Sequence, residues 1–245
     1  MKVVFLGATR GMGRALARLL AARGDALFLL GRDTDELARS AADLAARGAP
    51  EPLGHAACDL LATEGFDTAL DAADRALGGF DTVIVTAGLF DTQEGLESDR
   101  EALERVLRAN FTGTVLFCEA ARTRLLARGG GTLCVFSSVA GERGRKPVVL
   151  YGASKAGISR YLEGLDHRYR DAGLVTVTVK PGFVHTDMTE GLPAPPFAGE
   201  PEAVARTVLK ALDRGRPVVY APPIWRLVMA VIRLLPRAVL RRVSF

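Results

Sequence analysis

Short apolar runs rich in β-branched residues alternate along the chain with longer stretches whose apolar positions recur every three or four residues. The runs at 3–6, 26–30, 83–86, 132–137, 174–180 and 217–221 read as strands, with a weaker one at 53–57. These runs are mostly continuous rather than alternating with polar residues, as in strands buried on both faces. Between them, 14–23, 33–47, 64–77, 98–127, 150–171 and 202–212 predict helices. Leu16, Leu19 and Leu20 mark one face of the first, and Asp33 with Glu36 has capping-box spacing at the start of the second. The βαβα order predicts an α/β fold, a doubly wound parallel sheet with helices on both faces. No linker, repeat or low-complexity segment interrupts it, so 1–223 reads as a single domain and 224–245 as a helical tail.

Composition changes this picture little. The 245 residues are 49% hydrophobic and 24% charged, an ordinary globular balance. Three cysteines (Cys58, Cys118, Cys134) are odd in number, widely spaced and without a CxxC pair, and three histidines lack metal-site spacing. A metal centre is not expected. The N-terminus runs straight into a strand, and no apolar run reaches the roughly 18 residues of a membrane span. A cytoplasmic protein is expected.

Charge is more informative by place than by sum. The net charge is +4, too mild to indicate nucleic-acid binding. Residues 224–245 hold Arg226, Arg233, Arg237, Arg241 and Arg242 and no acid, and the rest of the chain is close to neutral.

The first strand ends in Gly7-Ala8-Thr9-Arg10-Gly11-Met12-Gly13, and a helix follows at once. Glycines allow a tight turn and close approach of the backbone to a pyrophosphate, and the helix start supplies unpaired N–H groups. This context points to a dinucleotide. The second strand ends in Leu30-Gly31-Arg32 where an NAD site usually carries a carboxylate. Arg32 and Arg10 can together clamp a 2′-phosphate, which favours NADP(H).

Tyr151 and Lys155 lie four apart on a predicted helix, hence on one face. A nearby ammonium favours the phenolate and draws a tyrosine toward acid–base catalysis. Ser138, just past the strand at 132–137, offers a hydroxyl to a substrate carbonyl.

With these residues in order, the chain resembles the classical short-chain dehydrogenase/reductase family from about Lys2 to Ala221. The matching elements are the Gly7/Gly11/Gly13 turn, Cys58-Asp59-Leu60, Ala87-Gly88, Asn110, Ser138, Tyr151/Lys155, and Pro181-Gly182 followed by Thr186. The resemblance implies a Rossmann-like fold and a Ser-Tyr-Lys-Asn mechanism on a ketone or secondary alcohol. It implies Tyr151 as general acid/base, Ser138 orienting the carbonyl, and Lys155 lowering the Tyr151 pKa while bonding the nicotinamide ribose. Asn110 would anchor a water of the proton relay. Asp59 would meet the adenine, and Val184 and Thr186 the carboxamide. The Ser-Ser-x-x-Gly pattern with Gly141 selects Ser138 over Ser137. Thr86 stands where the family often has asparagine, and Leu6 where threonine is usual. A homo-oligomer is expected.

Three features bear on the substrate. The basic loop Glu142-Arg143-Gly144-Arg145-Lys146 could receive a phosphate or be a solvated loop. The Pro-rich stretch 188–199 reads as a substrate lid. In the tail, Arg226, Arg233 and Arg237 fall near one helical face, and Trp225, Val228, Met229, Ile232 and Leu235 mostly on the other. That pattern suits a membrane interface or a helix packed on a partner subunit or over the pocket. From about Ser137 onward the chain also resembles the bacterial decaprenylphosphoryl 2-keto-ribose reductases, which implies a lipid-linked keto-sugar. Reductases of other lipidic ketones are the alternative, and a non-catalytic NADP(H) sensor or membrane scaffold is the rival from another class.

Overall fold

Successive residues of a strand face opposite sides of its sheet, so a strand buried on both sides must be apolar throughout. The computed structural model, which describes residues 1–51 and 53–243, shows this in β1 (Lys2–Leu6). Val3 and Phe5 enter one core and Val4 and Leu6 the other, all at 1% exposure or less. The remaining strands are β2 (Ala26–Gly31), β3 (Gly54–Ala57), β4 (Thr82–Val85), β5 (Gly131–Phe136), β6 (Leu174–Pro181) and β7 (Val218–Ala221). All pair in parallel in the order β3-β2-β1-β4-β5-β6-β7. Helices α1 (Gly11–Arg23), α2 (Thr34–Ala45), α3 (Phe66–Leu77), α4 (Gln93–Ser98), α5 (Arg100–Leu107), α6 (Thr114–Ala127), α7 (Val149–Tyr169) and α8 (Pro201–Asp213) complete the expected layers.

On one face, α1, α2 and α8 bury Leu16, Leu37, Leu44, Val204 and Val208 against the sheet. On the other, α3, α6 and α7 bury Phe66, Leu70, Phe117, Ile158 and Leu162. Each such side chain contributes about 1.5–3 kcal/mol. The chain reverses its direction of winding between β1 and β4, so their carboxyl ends open a crevice there.

One long helix was expected over 98–127, and the structure breaks it. Asp99 caps α5 by accepting from the Ala102 N–H at 3.0 Å, and α4, whose cap is Thr92, precedes it. A π turn, Arg108–Gly113, then separates α5 from α6. Periodicity cannot show this widening, because the cause is tertiary. The Asn110 side chain both donates to the Leu89 carbonyl and accepts from its N–H, each at 2.7 Å. Asp33 caps α2 through the Asp35 and Glu36 N–H groups, as its position suggested.

The tail holds α9 (Trp225–Leu234) and α10 (Arg237–Leu240), divided at Pro236, with Ser244 and Phe245 outside the described residues. Trp225, Met229 and Ile232 turn inward and form a small core with Val139, edged by Tyr220 and Val228, while Leu227, Val231 and Leu234 of α9 stay exposed. Among the described residues, no helix is long and apolar enough to cross a membrane.

Thr86 replaces by its hydroxyl a hydrogen bond that the turn after β1 needs. Its Oγ1 donates to the Gly7 carbonyl at 2.8 Å. Thr86→Val is expected to lower unfolding stability by about 1 kcal/mol, and Thr86→Ser to retain most of it, in urea denaturation.

Candidate active site

The turn between β1 and α1 is shaped by close approach. A Cβ at Gly13 would lie 2.1 Å from the Gly7 carbonyl oxygen, and Gly7 itself has φ +100°. Only glycine lets α1 start this near the strand. No side chain caps the first turn of α1 and no acid lies in it, so its N–H groups and positive end suit an anion.

This turn forms one wall of a cavity of about 970 Å³ at the β1/β4 crevice. Gly7, Thr9, Arg10, Gly11, Met12, Gly13, Arg32, Asp59, Leu60, Ala87, Gly88 and Thr186 all line it. Pro181, Gly182 and Val184 do not reach its wall, and neither do Asn110, Ser138, Tyr151 and Lys155. Val184 is buried and pairs with Gly199 in an isolated bridge. Gly182 answers a different demand, since a Cβ there would lie 2.0 Å from Trp225 Nε1. The tail tryptophan thus packs behind the segment after β6, which no spacing along the chain could show.

Two carboxylates missed in the sequence, Asp33 and Glu36, also line the cavity beside Arg32. Both are engaged. Asp33 accepts from two backbone N–H groups, which hold its carboxyl below the usual range, and Glu36 pairs with Arg39 at 3.0 Å. Among the described residues neither Arg10 nor Arg32 forms an ion pair.

At the β5 end, Ser137 and Ser138 part ways. Ser137 is buried and donates to the Lys155 carbonyl at 2.8 Å while meeting Ser159 Oγ at 2.8 Å, so it is tied into the frame. Ser138 accepts from the Ala140 N–H at 3.1 Å, and its hydroxyl lies near enough to the Tyr151 phenol to favour the phenolate. Phe90 packs edge-on against the Tyr151 ring, with centroids 5.0 Å apart. Gln93, buried and also missed, accepts from the Leu150 N–H at 3.1 Å and fixes the start of α7.

Lys155 is buried, and its Nζ donates to the Phe136 carbonyl at 3.0 Å, 5.7 Å from the Tyr151 ring centre. Burial outweighs other effects at both groups. It pushes the Tyr151 phenol up to about 12 against the lowering by Ser138, and it draws the Lys155 ammonium down to about 8. Lys155 is not among the groups acting on Tyr151 here, where burial is the largest influence. Asn110 lies close by, with both it and Lys155 Nζ flanking Gly88.

The basic loop lies away from the large cavity, and none of Glu142 to Lys146 lines it. The Glu142 side chain is buried, pairs with Lys180 and accepts from the Tyr220 hydroxyl, and Arg233 of α9 reaches it at 3.2 Å. Removing one partner of such a buried pair costs about 3–5 kcal/mol, so Glu142 is a structural anchor. Arg143 donates to the Leu235 carbonyl at 3.1 Å. The Pro-rich stretch is held at its base, where Trp225 Nε1 donates to the Phe197 carbonyl at 3.2 Å.

A glycine turn at a sheet's switch point, with Ser, Tyr and Lys gathered at the adjoining strand ends, defines a dinucleotide-dependent oxidoreductase architecture. Residues 1–195 match the family model described as short chain dehydrogenase, and the chain belongs to that family. It is therefore an oxidoreductase whose family uses NAD or NADP. It is 34% identical over 242 residues to an uncharacterized oxidoreductase of Mycobacterium tuberculosis, covering 98% of this chain and 96% of that one. It is 32% identical over 222 residues to carbonyl reductase family member 4 of Danio rerio, covering 87% and 91%. A solved short-chain type dehydrogenase/reductase from Mycobacterium ulcerans shares the fold with TM-score 0.79 at 22% identity, over 89% of this chain and 86% of that one.

The buried ammonium is open to direct measurement. Of the five lysines, Lys155 is expected to titrate near 8 in ¹³C-methyl NMR of the reductively methylated protein, and this signal should vanish in Lys155→Met. A full set of signals at the ordinary lysine value would contradict the burial argument.

Proposed function

We propose that this protein is an NADP(H)-dependent carbonyl reductase that interconverts a ketone and a secondary alcohol. The placement of the Ser138 hydroxyl by the Tyr151 phenol, beside buried Lys155, carries the reading. The nicotinamide, when bound, exchanges a hydride with the carbonyl carbon. Tyr151 keeps its proton far above neutral pH in this burial, so it is poised as the acid that protonates the carbonyl oxygen. Ser138 orients that oxygen from the other side. Lys155, held by Phe136, presents its positive charge near Gly88 and the crevice. Asn110 acts as a positioning residue, since its amide clamps the Leu89 backbone next to Gly88.

NADP(H) rather than NAD(H) is supported by Arg10 and Arg32 on the cavity wall with the neighbouring acids already engaged. Two guanidinium groups can share a 2′-phosphate by bidentate hydrogen bonds. The similarity to a carbonyl reductase of Danio rerio agrees with a ketone substrate.

Tyr151→Phe is expected to lower ketone reduction by about a thousandfold while leaving NADPH affinity within a factor of about two, since the ring is kept and only the proton donor is lost. Retained turnover would remove the proposed mechanism. Arg32→Ala is expected to weaken NADPH by about tenfold or more in fluorescence titration and NADH far less. An equal loss for both would remove the cofactor assignment.

A further inference from the structure

A helix on a protein surface normally carries polar residues on the side away from the core. Helix α9 departs from this. Trp225, Met229 and Ile232 fill its inner face. Leu227, Val231 and Leu234 repeat the same spacing on the opposite side and are 66%, 62% and 84% exposed. Ile224, just ahead of α9, continues this outer stripe and is exposed as well. Arg226 and Arg233 lie along one flank between the two faces, and Val228 on the other. Helix α9 is therefore apolar on two opposite sides, and the described residues cover only the inner one.

The charge around the stripe selects its occupant. Residues 224–243 hold Arg226, Arg233, Arg237, Arg241 and Arg242 and no aspartate or glutamate. Arg233 is drawn to Glu142, and the other four are exposed. Two copies of this face laid together would oppose like charges, which disfavours a second copy of the chain. An anionic surface meets the arginines favourably. The stripe is an outward ridge rather than a groove, so a fluid surface can take it in without a matching shape. At the boundary of headgroups and acyl chains, apolar side chains enter the hydrocarbon while long arginine stems reach back to the phosphates.

We propose that the outer face of α9 docks the protein on an anionic lipid surface, with the helix lying in the interface. Leu227, Val231 and Leu234 enter the acyl boundary, and the exposed arginines of the tail meet lipid phosphates. The docking face is the one opposite Trp225. The tryptophan marks the side held by the protein itself, because its Nε1 donates to the Phe197 carbonyl at 3.2 Å. Docking therefore brings the Pro-rich stretch, with Phe197 57% exposed, close to the lipid. The surface shares no residue with the nucleotide cavity, so it stands apart from the cofactor and substrate assignments.

The test is flotation of the full chain on vesicles of phosphatidylcholine alone and of phosphatidylcholine mixed with phosphatidylglycerol. The parent is compared with Leu227→Ser/Val231→Ser/Leu234→Ser and with Arg226→Gln/Arg237→Gln. All five side chains are exposed, so the fold should be kept, with an unchanged thermal midpoint as the check. The parent is expected to partition about tenfold more strongly to the mixed vesicles than to phosphatidylcholine alone. The serine variant should bind the mixed vesicles about tenfold more weakly than the parent, and the glutamine variant should lose most of the preference for them. A parent that stays free of the mixed vesicles overturns the proposal, and so does equal binding by the parent and the serine variant. Light scattering then identifies the other occupant. An oligomer that the serine variant loses, without vesicle binding, assigns the face to a second copy, and a monomer in both leaves it to an acidic protein partner; either result removes the lipid.

Discussion

Val3 and Phe5 lie on one side of β1, Val4 and Leu6 on the other, and water reaches neither set. Burial of both faces makes the central strands of this sheet hydrophobic elements whose ends alone meet solvent, while the edge strands β3 and β7 are partly exposed. The chemistry is therefore confined to the rim of the sheet. Because strand order reverses between β1 and β4, the rim opens there, and the glycine turn, the Ala87-Gly88 segment and the start of the π turn converge on it.

The same burial sets the electrostatics. Lys155 and Tyr151 lie where the charged form of either is costly, which holds the phenol protonated and eases the ammonium toward neutrality. A tyrosine kept protonated is suited to giving a proton to a carbonyl. The frame around it is correspondingly rigid, with Ser137, Gln93 and Phe90 each fixing a part of β5 or α7.

The tail alters the active-site end of the molecule more than its position in the chain suggests. Trp225 fills the space that Gly182 leaves and holds the carbonyl of Phe197, so α9 braces the segment after β6 and the Pro-rich stretch together. Its arginines divide accordingly. Arg233 is drawn to Glu142, while Arg237 and Arg241 face the 143–146 loop across a smaller cavity.

Much of this was legible in the order of residues. Strand and helix periods, the Gly7/Gly11/Gly13 turn and the spacing of Ser138, Tyr151 and Lys155 are local facts, because neighbours along a strand end or a helix face stay neighbours in any fold of that class. They determined the architecture, the nucleotide crevice and the grouping of reactive side chains. The tertiary structure decided the rest. The break at Asn110, the engagement of Asp33 and Glu36, the inward turn of Trp225 and the gathering of loop and tail arginines each depend on contacts between distant segments. The direction of the Lys155 charge was decided the same way, by a carbonyl nineteen residues upstream that packing brought within 3.0 Å.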